Sequence, residues 1–387
     1  MGIASLMYHK KKSNNVAPVE GTIYGIKIDT TNSSPEGAVT YVDNAIGSVP
    51  ASGNNGFFNG GSWLDKFPFN QIKPCLFKDG VVQYYLNPND YTKKEDGSPA
   101  DITSGADGNV MIEFPKIYWN IKKIGTEIYI RYSDKRISEQ YKCWAHMRGT
   151  TEKDKVYISA YLGNLSNGVL QSLSGKAPVV SQTITALRNA SAQNGENYQQ
   201  MGYYQVLMLQ ILYLVMFKDR NSQSALGSGY ATSNASRTTT GKTNTKGLYF
   251  GETTGKQNMK LFGIEDVWGN ARYFADGIYL SESLNMFLGT HNFNDDAVGY
   301  TNVGVVNESP TNSYTVDIIG TTELGFLPLS SGGTATTYYC DRGGIVAKFT
   351  FAFGSPYNAS VAGGIFQITN TVATATPADI SARLVYL

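Results

Sequence analysis

Three cysteines and three histidines are the residues best suited to metal or nucleophilic chemistry, and their spacing favours neither. Cys75, Cys143 and Cys340 are far apart, whereas a zinc or redox site usually contains a CxxC pair. No histidine has a second histidine four residues away, as a helical zinc site requires. Cys143 and His146 are close in sequence, so a Cys/His nucleophile stays open beside the favoured interpretation, a packed strand edge.

The acidic candidates are also weak. Glu265 and Asp266 are sequence neighbours, so they do not form the opposed acid/base pair of a hydrolase. The oxygen-rich run from Asn292 to Asp296 could hold calcium, but it lacks the glycine and terminal glutamate of an EF-hand, which favours a turn. No GxSxG, P-loop or GxGxxG motif occurs in a strand-to-helix context. The sequence therefore predicts no enzyme activity, no cofactor and no metal.

The composition indicates a neutral, aromatic-rich surface. Of the 387 residues, 41% are hydrophobic and only 16% charged, 26 are tyrosines, and the net charge is +1. Such a charge gives no general attraction to nucleic acid. The most apolar run, Val206 to Phe217, is too short to span a membrane, so it is predicted to be a buried helix and no membrane insertion is expected. The odd cysteine count and the lack of a signal-peptide pattern predict a soluble protein made in a reducing cytoplasm.

The 45 residues from Gly343 to Leu387 contain only three charges and read as strands that hold out loops. Phe349, Phe351 and Phe353 fall on one face of a period-2 strand. Further strands are predicted around Phe366 and from residue 380 to 386. Tyr, Ser, Gly and Asn are the residue types of adaptable binding surfaces, so this segment favours binding over catalysis.

Three regions must position these residues. Residues 1–19 read as a flexible arm, 20–140 as a β-rich domain and 141–387 as a longer mixed domain. The predicted strands of the second region are 22–28, 81–86, 110–114, 117–121 and 127–132. The third region has a strong helix pattern over 198–218, with Tyr204, Met208, Ile211, Leu212 and Val215 on one face, and a weaker one over 181–190.

One motif is specific. It runs from Gly263 through Asp266, Trp268, Gly269 and Asn270 to Asp276-Gly277. It resembles the signature of the formylglycine-generating-enzyme type of C-type-lectin fold, in which the Gly-Asn turn locks a central loop. Arg272-Tyr273 stand where that signature has an acidic residue and tryptophan, and the active-site cysteine pair is missing. The resemblance therefore implies architecture, with these five residues as its structural motif, rather than activity.

The C-terminal segment resembles the variable region of proteins diversified by retroelements. Gly354-Ser355, Tyr357-Asn358, Phe366, Asn370 and the run 380–384 match that pattern, whereas Phe353, Pro356 and Ala359 depart from it. Segments 86–91 and 114–119 resemble phage tail-tip proteins that carry such lectin-type domains. By this resemblance the fold is α+β, with an N-terminal β-rich domain for tail attachment or oligomerisation and a C-terminal C-type-lectin-like domain whose variable face lies at 337–387.

The resemblance implies a receptor-binding protein of a tailed phage or a phage-derived tail particle, placed at the tail tip of the virion after synthesis in the host cytoplasm. Its expected partners are a bacterial surface receptor (protein or glycan), other tail proteins and two further copies in a homotrimer. A bacterial lectin-fold binding protein outside a virion stays open, as does, more remotely, a formylglycine-generating-type modifying enzyme.

Strand alternation predicts receptor contacts that should face solvent, namely Ser355, Pro356, Tyr357, Ser360, Gln367, Thr369, Thr371, Val372, Thr374 and Thr376. The loop that flanks them adds Tyr338, Tyr339, Asp341 and Arg342 as further predicted contacts, and a place in the core stays open for the two tyrosines.

Overall fold

Short β-strands make up most of the regular structure. The computed structural model describes residues 21–347, 350–359 and 363–387. Strands hold 36% of the residues and helices only 9%. The predicted α+β class is therefore wrong, and the fold is β-rich. The prediction gave too much weight to two helix patterns, because the Gly-, Ser- and Thr-rich second half forms many strands of only two to five residues.

The strands are numbered in chain order. The first fifteen described strands are β1 (Ile23–Asp29), β2 (Val39–Asp43), β3 (Ser52–Asn54), β4 (Phe57–Asn59), β5 (Lys73–Lys78), β6 (Val81–Asn87), β7 (Asp90–Lys94), β8 (Asn109–Pro115), β9 (Tyr118–Ile124), β10 (Glu127–Ser133), β11 (Met147–Arg148), β12 (Thr151–Glu152), β13 (Lys155–Ser159), β14 (Asn164–Ser166) and β15 (Val169–Gln171). The later ones are β16 (Tyr198–Gln200), β17 (Lys260–Leu261), β18 (Ile264–Glu265), β19 (Arg272–Ala275), β20 (Ile278–Leu280), β21 (Asn285–Leu288), β22 (Thr301–Val305), β23 (Ser309–Ile318), β24 (Pro328–Ser331), β25 (Arg342–Ile345), β26 (Thr350–Phe353), β27 (Ile368–Thr371), β28 (Ile380–Ser381) and β29 (Leu384–Tyr386).

Helices occupy the middle of the chain. They are α1 (Ile184–Ala192), α2 (Tyr203–Phe217) and the single turn α3 (Ser222–Ala225), with 3-10 turns at Phe69–Gln71 and Trp144–His146. The Thr183 side chain caps α1 by accepting a hydrogen bond from the Ala186 N–H at 3.1 Å. Both predicted helices are thus present. None of the described helices is long and apolar enough to cross a membrane.

Helix α2 is buried on every side. All fifteen of its residues are buried, including Gln205 and Gln210. The prediction of a single packed face on this helix is therefore too narrow, because a helix that is apolar all round belongs inside a protein. The helix begins at 203 rather than 198 because residues 198–200 form β16, and the Gly202 N–H donates to the Gln205 side chain at 3.0 Å.

The largest sheet joins the two predicted domains. Its strand order is β16-β29-β13-β8-β5-β6-β7, so strands from 20–140 pair with strands from 141–387. One hydrophobic cluster likewise contains residues from Ile26 to Leu387. The predicted boundary near residue 140 therefore does not separate two independent cores.

The described residues also form two four-stranded sheets. The first has the order β2-β1-β10-β9, and Ile26 pairs with Ile130 in its centre. The second has the order β27-β26-β19-β28 and carries most of the C-terminal segment. The strands predicted at 22–28, 81–86, 110–114, 117–121 and 127–132 correspond to β1, β6, β8, β9 and β10, each within three residues at its ends.

Candidate functional site

Strand β26 organises the C-terminal segment, and it is covered on both faces. It lies between β19 and β27, and all of its residues from Thr350 to Phe353 are buried. Phe351 and Phe353 pack into the main hydrophobic cluster, whereas Ala352 packs into a second one. The prediction that this strand has one face in solvent is therefore wrong, because hydrophobic clusters lie on both sides of the sheet. Lys348 and Phe349 lie outside the described residues.

The motif that contains Asp266, Trp268 and Asn270 forms a buried turn directly before β19, a strand of this sheet. Trp268 is fully buried, and its Nε1 donates to the Gly227 carbonyl at 2.9 Å. The Asn270 amide donates to the Asp266 carboxylate at 2.9 Å and to the Thr238 carbonyl at 3.1 Å. Such fully paired side chains fix a turn rather than bind a ligand.

Arg383 ties the motif to the C-terminal segment. Its Nη2 donates to the carbonyl oxygens of Glu265 and Asp266, each at 2.6 Å. Its guanidinium lies 4.9 Å from the centre of the Tyr273 ring, within cation–π range. Burial raises the pKa of Asp266 well above its usual value, against the opposing effect of its Asn270 and Asn258 donors. The motif and the run 380–384 therefore form one structural unit.

Asp341, a predicted receptor contact, is an internal anchor. It is fully buried and accepts hydrogen bonds from the Gly364 N–H at 2.6 Å, the Phe366 N–H at 2.9 Å and the Gln223 amide at 2.8 Å. Burial raises its pKa to about 7, although these three donors act in the opposite direction. Asp341 is therefore not placed to contact a receptor, because its carboxylate holds the 363–366 loop from inside.

Four more predicted contacts are buried. Tyr339 packs edge-on against Phe366 at 5.3 Å between ring centres, and Ser355, Pro356 and Gln367 are also buried. The outward assignment of Ser355, Pro356 and Gln367 is wrong, because alternation identifies residues that share a face without showing whether that face meets water. For Tyr339 the alternative of a core position is the one that the structure shows.

The other predicted contacts reach solvent to different degrees. Val372, Thr374 and Thr376 are exposed, and Ser360 lies outside the described residues. The half-buried members are Tyr338, Arg342, Tyr357, Thr369 and Thr371.

Two of these half-buried residues face other parts of the chain. The Tyr338 N–H donates to the Ser33 carbonyl at 2.8 Å, and Arg342 lies over the Tyr314 ring at 5.2 Å. These contacts tie Tyr338 to the N-terminal half and Arg342 to β23.

Arg237 is a site residue that the sequence analysis missed. Its guanidinium lies 5.4 Å from the centre of the Tyr357 ring, and its Nη1 donates to the Ala378 carbonyl at 2.5 Å. Arg237 thereby joins two loops of the C-terminal segment, and we call Arg237, Tyr357, Asn358 and residues 372–378 the C-terminal surface. The sequence carried one signal for this residue, since Arg237 is the only arginine in the Ser- and Thr-rich stretch 222–246.

The backbone of the C-terminal surface is held by hydrogen bonds. The Tyr357 N–H donates to the Asn270 carbonyl at 3.0 Å, and the Asn234 N–H donates to the Tyr357 carbonyl at 3.0 Å. The motif asparagine therefore supports the loop that presents Tyr357. The surface combines one aromatic ring, one cation, methyl groups and hydroxyls, which suits non-covalent binding.

The residues considered for catalysis have structural surroundings. His146 is fully buried, neither of its ring nitrogens has a partner among the described residues, and burial lowers its pKa to about 3. The Cys143 thiol lies 3.9 Å from the Met147 sulfur.

The acidic candidates also have partners within the chain. The Glu265 carboxylate accepts from the Gly241 N–H and the Thr243 N–H, each at 2.7 Å. In the run from 292 to 296, Asn294 bonds the backbone of its own turn and Asp295 pairs with Arg188 at 2.9 Å. Within 21–347, 350–359 and 363–387, no group of three or more His, Cys, Asp or Glu residues could hold a metal ion.

No model of a known protein family matches the sequence, and no match was found among the curated proteins. The resemblance to retroelement-diversified receptor-binding proteins therefore stays a prediction.

Proposed function

We propose that the protein is a receptor-binding protein of a tailed phage, or of a phage-derived tail particle, and that its C-terminal surface contacts a bacterial surface ligand. The main support is the contrast between a frame held by internal hydrogen bonds and an exposed surface. Asp341, Arg383 and Asn270 hold the frame from inside through hydrogen bonds to backbone groups. The exposed hydroxyls of Thr374 and Thr376 make no hydrogen bond with any described residue and are free to bind a ligand.

The chemistry of the C-terminal surface supports adhesion. Tyr357 offers an aromatic ring backed by Arg237, and aromatic side chains often dominate the energy of an interface. Residues 371–378 carry no charged side chain, so the long-range electrostatic attraction that this loop contributes is small. A surface of this kind binds weakly per site and gains strength when several copies bind together.

Assembly completes the proposal. In a homotrimer three C-terminal surfaces would act on one cell, and the region 1–140 would attach to other tail proteins.

Deletion of residues 1–19 tests the attachment. A tail protein should lose incorporation into particles while its purified form still binds cells. Full incorporation without the arm would place the attachment in 20–140, whereas a full-length protein that never purifies with particles would favour a bacterial ligand-binding protein outside a virion.

The binding surface is tested by a triple variant, Val372→Ser with Thr374→Ala and Thr376→Ala. All three side chains are exposed, so the melting temperature should stay within a few degrees of the wild type. The matched control is Val305→Ser with Thr253→Ala, two exposed residues outside the C-terminal surface. We expect adsorption to host cells to fall at least tenfold in the triple variant only. Equal adsorption by both variants would move the binding site elsewhere.

Tyr357→Ala is the complementary single variant. Loss of an aromatic anchor typically weakens an interface by 2 kcal/mol or more, about thirtyfold in affinity. Tyr357→Phe retains the ring over Arg237 and should keep most of the adsorption. If the two variants adsorb alike and normally, Tyr357 is not the anchor.

A further inference from the structure

A second concave site lies outside the C-terminal surface. It is a cavity of about 560 Å³, and no residue of the C-terminal surface lines it. Its wall is built from separate parts of the chain, including the 3-10 turn at 144–146, the start of α2, the end of β21 and the strand β22. The volume is within the usual range of small-molecule sites, about 300–1,000 Å³.

One side of the cavity is aromatic and aliphatic. The rings of Trp144 and Tyr204 stack with their centres 5.5 Å apart and 18° between their planes. Leu288 and Val303 add aliphatic surface. Such a wall favours a ligand with an apolar face.

The same cavity contains polar groups without partners. Glu323, Tyr204 and His291 line it, and their side chains make no hydrogen bond or ion pair with any described residue. Burial, and after it the nearby Glu323 carboxylate, raise the pKa of the Tyr204 hydroxyl. Unpaired polar side chains along the wall of one cavity indicate a binding site.

The wall is fixed before any ligand binds. The Gln205 amide donates to the carbonyl of Ala145, next to Trp144, at 2.6 Å. The Gly149 N–H donates to the Thr290 hydroxyl at 3.2 Å, which holds the β11–β12 turn against the segment after β21. A Cβ at Gly149 would lie 3.1 Å from the His291 ring, so glycine permits this close approach.

We propose that this cavity binds a pyranose ring of a saccharide. A pyranose has an apolar C–H face, which suits the Trp144–Tyr204 wall, and a rim of hydroxyls that both donate and accept. Its hydroxyls can donate to Glu323 and pair with the Tyr204 hydroxyl, which lies near that carboxylate. A quaternary ammonium ligand would also suit aromatic rings and a carboxylate, but it cannot form a hydrogen bond with the Tyr204 hydroxyl. The pyranose is therefore the better match to the unpaired groups.

The binding of a pyranose in this cavity is inferred from the lining residues alone. The further statement that the saccharide belongs to a bacterial surface glycan rests on the proposed function. The triple variant of the C-terminal surface separates the two proposals, because it should lose adsorption and keep saccharide binding.

Tryptophan fluorescence of the full chain provides a selective test. Trp63, Trp119 and Trp268 are each 0% exposed, whereas Trp144 is half-buried. Quenching by acrylamide should therefore report mainly on Trp144. The probes are methyl glycosides of glucose, galactose, mannose, rhamnose and N-acetylglucosamine, with choline chloride as the cationic comparison. At least one glycoside should protect Trp144 saturably, with a dissociation constant of the order of 1 mM.

Glu323→Gln tests the role of the carboxylate. It keeps the shape of the side chain and should weaken the bound glycoside at least tenfold, measured by the same quenching and by calorimetry. The matched control is Glu282→Gln, an exposed glutamate that does not line the cavity, which should bind as the wild type does. Tyr204→Phe retains the stacked ring and should give a smaller loss.

Three results would overturn the proposal. They are no saturable protection by any glycoside, protection by choline alone, and equal glycoside affinity of wild type and a folded Glu323→Gln variant. If Glu323→Gln does not fold, Tyr204→Phe decides, and unchanged affinity in that variant counts against the site.

Discussion

Removal of the Asp341 carboxylate should open the loop beneath the C-terminal segment. In Asp341→Ala the N–H groups of Gly364 and Phe366 lose their acceptor, and so does the Gln223 amide. The Ile365 N–H keeps its bond to the Ser222 hydroxyl at 3.0 Å, and the Ile365 carbonyl still accepts from the Gln210 amide at 2.9 Å, so the loop stays attached to the core. The change should therefore act locally, on residues 363–366, more than on the whole fold.

The size of the effect follows from these partners. Each buried donor left without an acceptor costs about 1–3 kcal/mol. The loss is partly offset, because burial raises the pKa of Asp341 to about 7 and the variant no longer buries this carboxyl group. A net loss of about 2–3 kcal/mol in the free energy of loop opening corresponds to roughly 100-fold faster amide exchange.

Hydrogen exchange measured on peptides covering 363–368 checks this prediction. The matched control is Asp379→Ala, which removes a half-buried carboxylate from the same segment and breaks a pair with Arg272 at 2.5 Å. Such a partly exposed pair contributes about 0–1 kcal/mol, so exchange at 363–368 should stay near that of the wild type. Unchanged exchange in Asp341→Ala, with loss of adsorption, would refute the anchor role and restore Asp341 as a direct receptor contact.

Three further predictions concern the core and its chemistry. Trp268→Ala should cost about 3–5 kcal/mol, because it removes a fully buried ring and a hydrogen bond, and a normal melting temperature would count against a structural role. His146 stays neutral in the fold because burial lowers its pKa to about 3, so the unfolded chain takes up a proton first as the pH falls below 6.5. Wild type should therefore lose about 2 kcal/mol of unfolding free energy between pH 7 and pH 5 that His146→Leu does not lose, as chemical denaturation at both pH values would measure. We also expect elemental analysis to find iron, copper and zinc well below one ion per chain, and stoichiometric metal would contradict the prediction of no metal.

Local sequence patterns located many elements because neighbouring residues decide them. The alternation in β1, β6, β8, β9 and β10 identified these strands, and the apolar run of α2 identified a buried helix. Patterns of this kind depend on residues two to four apart, which any single sequence displays.

The predicted binding face failed where long-range packing decides exposure. Ala352 is small and faces a second core, so the side of β26 that carries Thr350 and Ala352 is as buried as the phenylalanine side. Asp341 and Gln367 are polar, and polar residues are usually exposed unless the fold supplies partners. The partners of Asp341 come from positions 223, 364 and 366, and nothing in the sequence around 341 reveals them.

The position of β29 has a consequence for the time course of synthesis. This strand lies between β13 and β16, pairing Tyr386 with both Tyr157 and Tyr198. About 230 residues separate β13 from this neighbour, and at about 5–20 residues per second a ribosome needs roughly 10–50 s to make them. During that interval the β13 edge is open to pairing with another nascent chain. Slow translation or crowded polysomes should therefore raise the fraction of misassembled protein, and chaperones that cover strand edges should lower it.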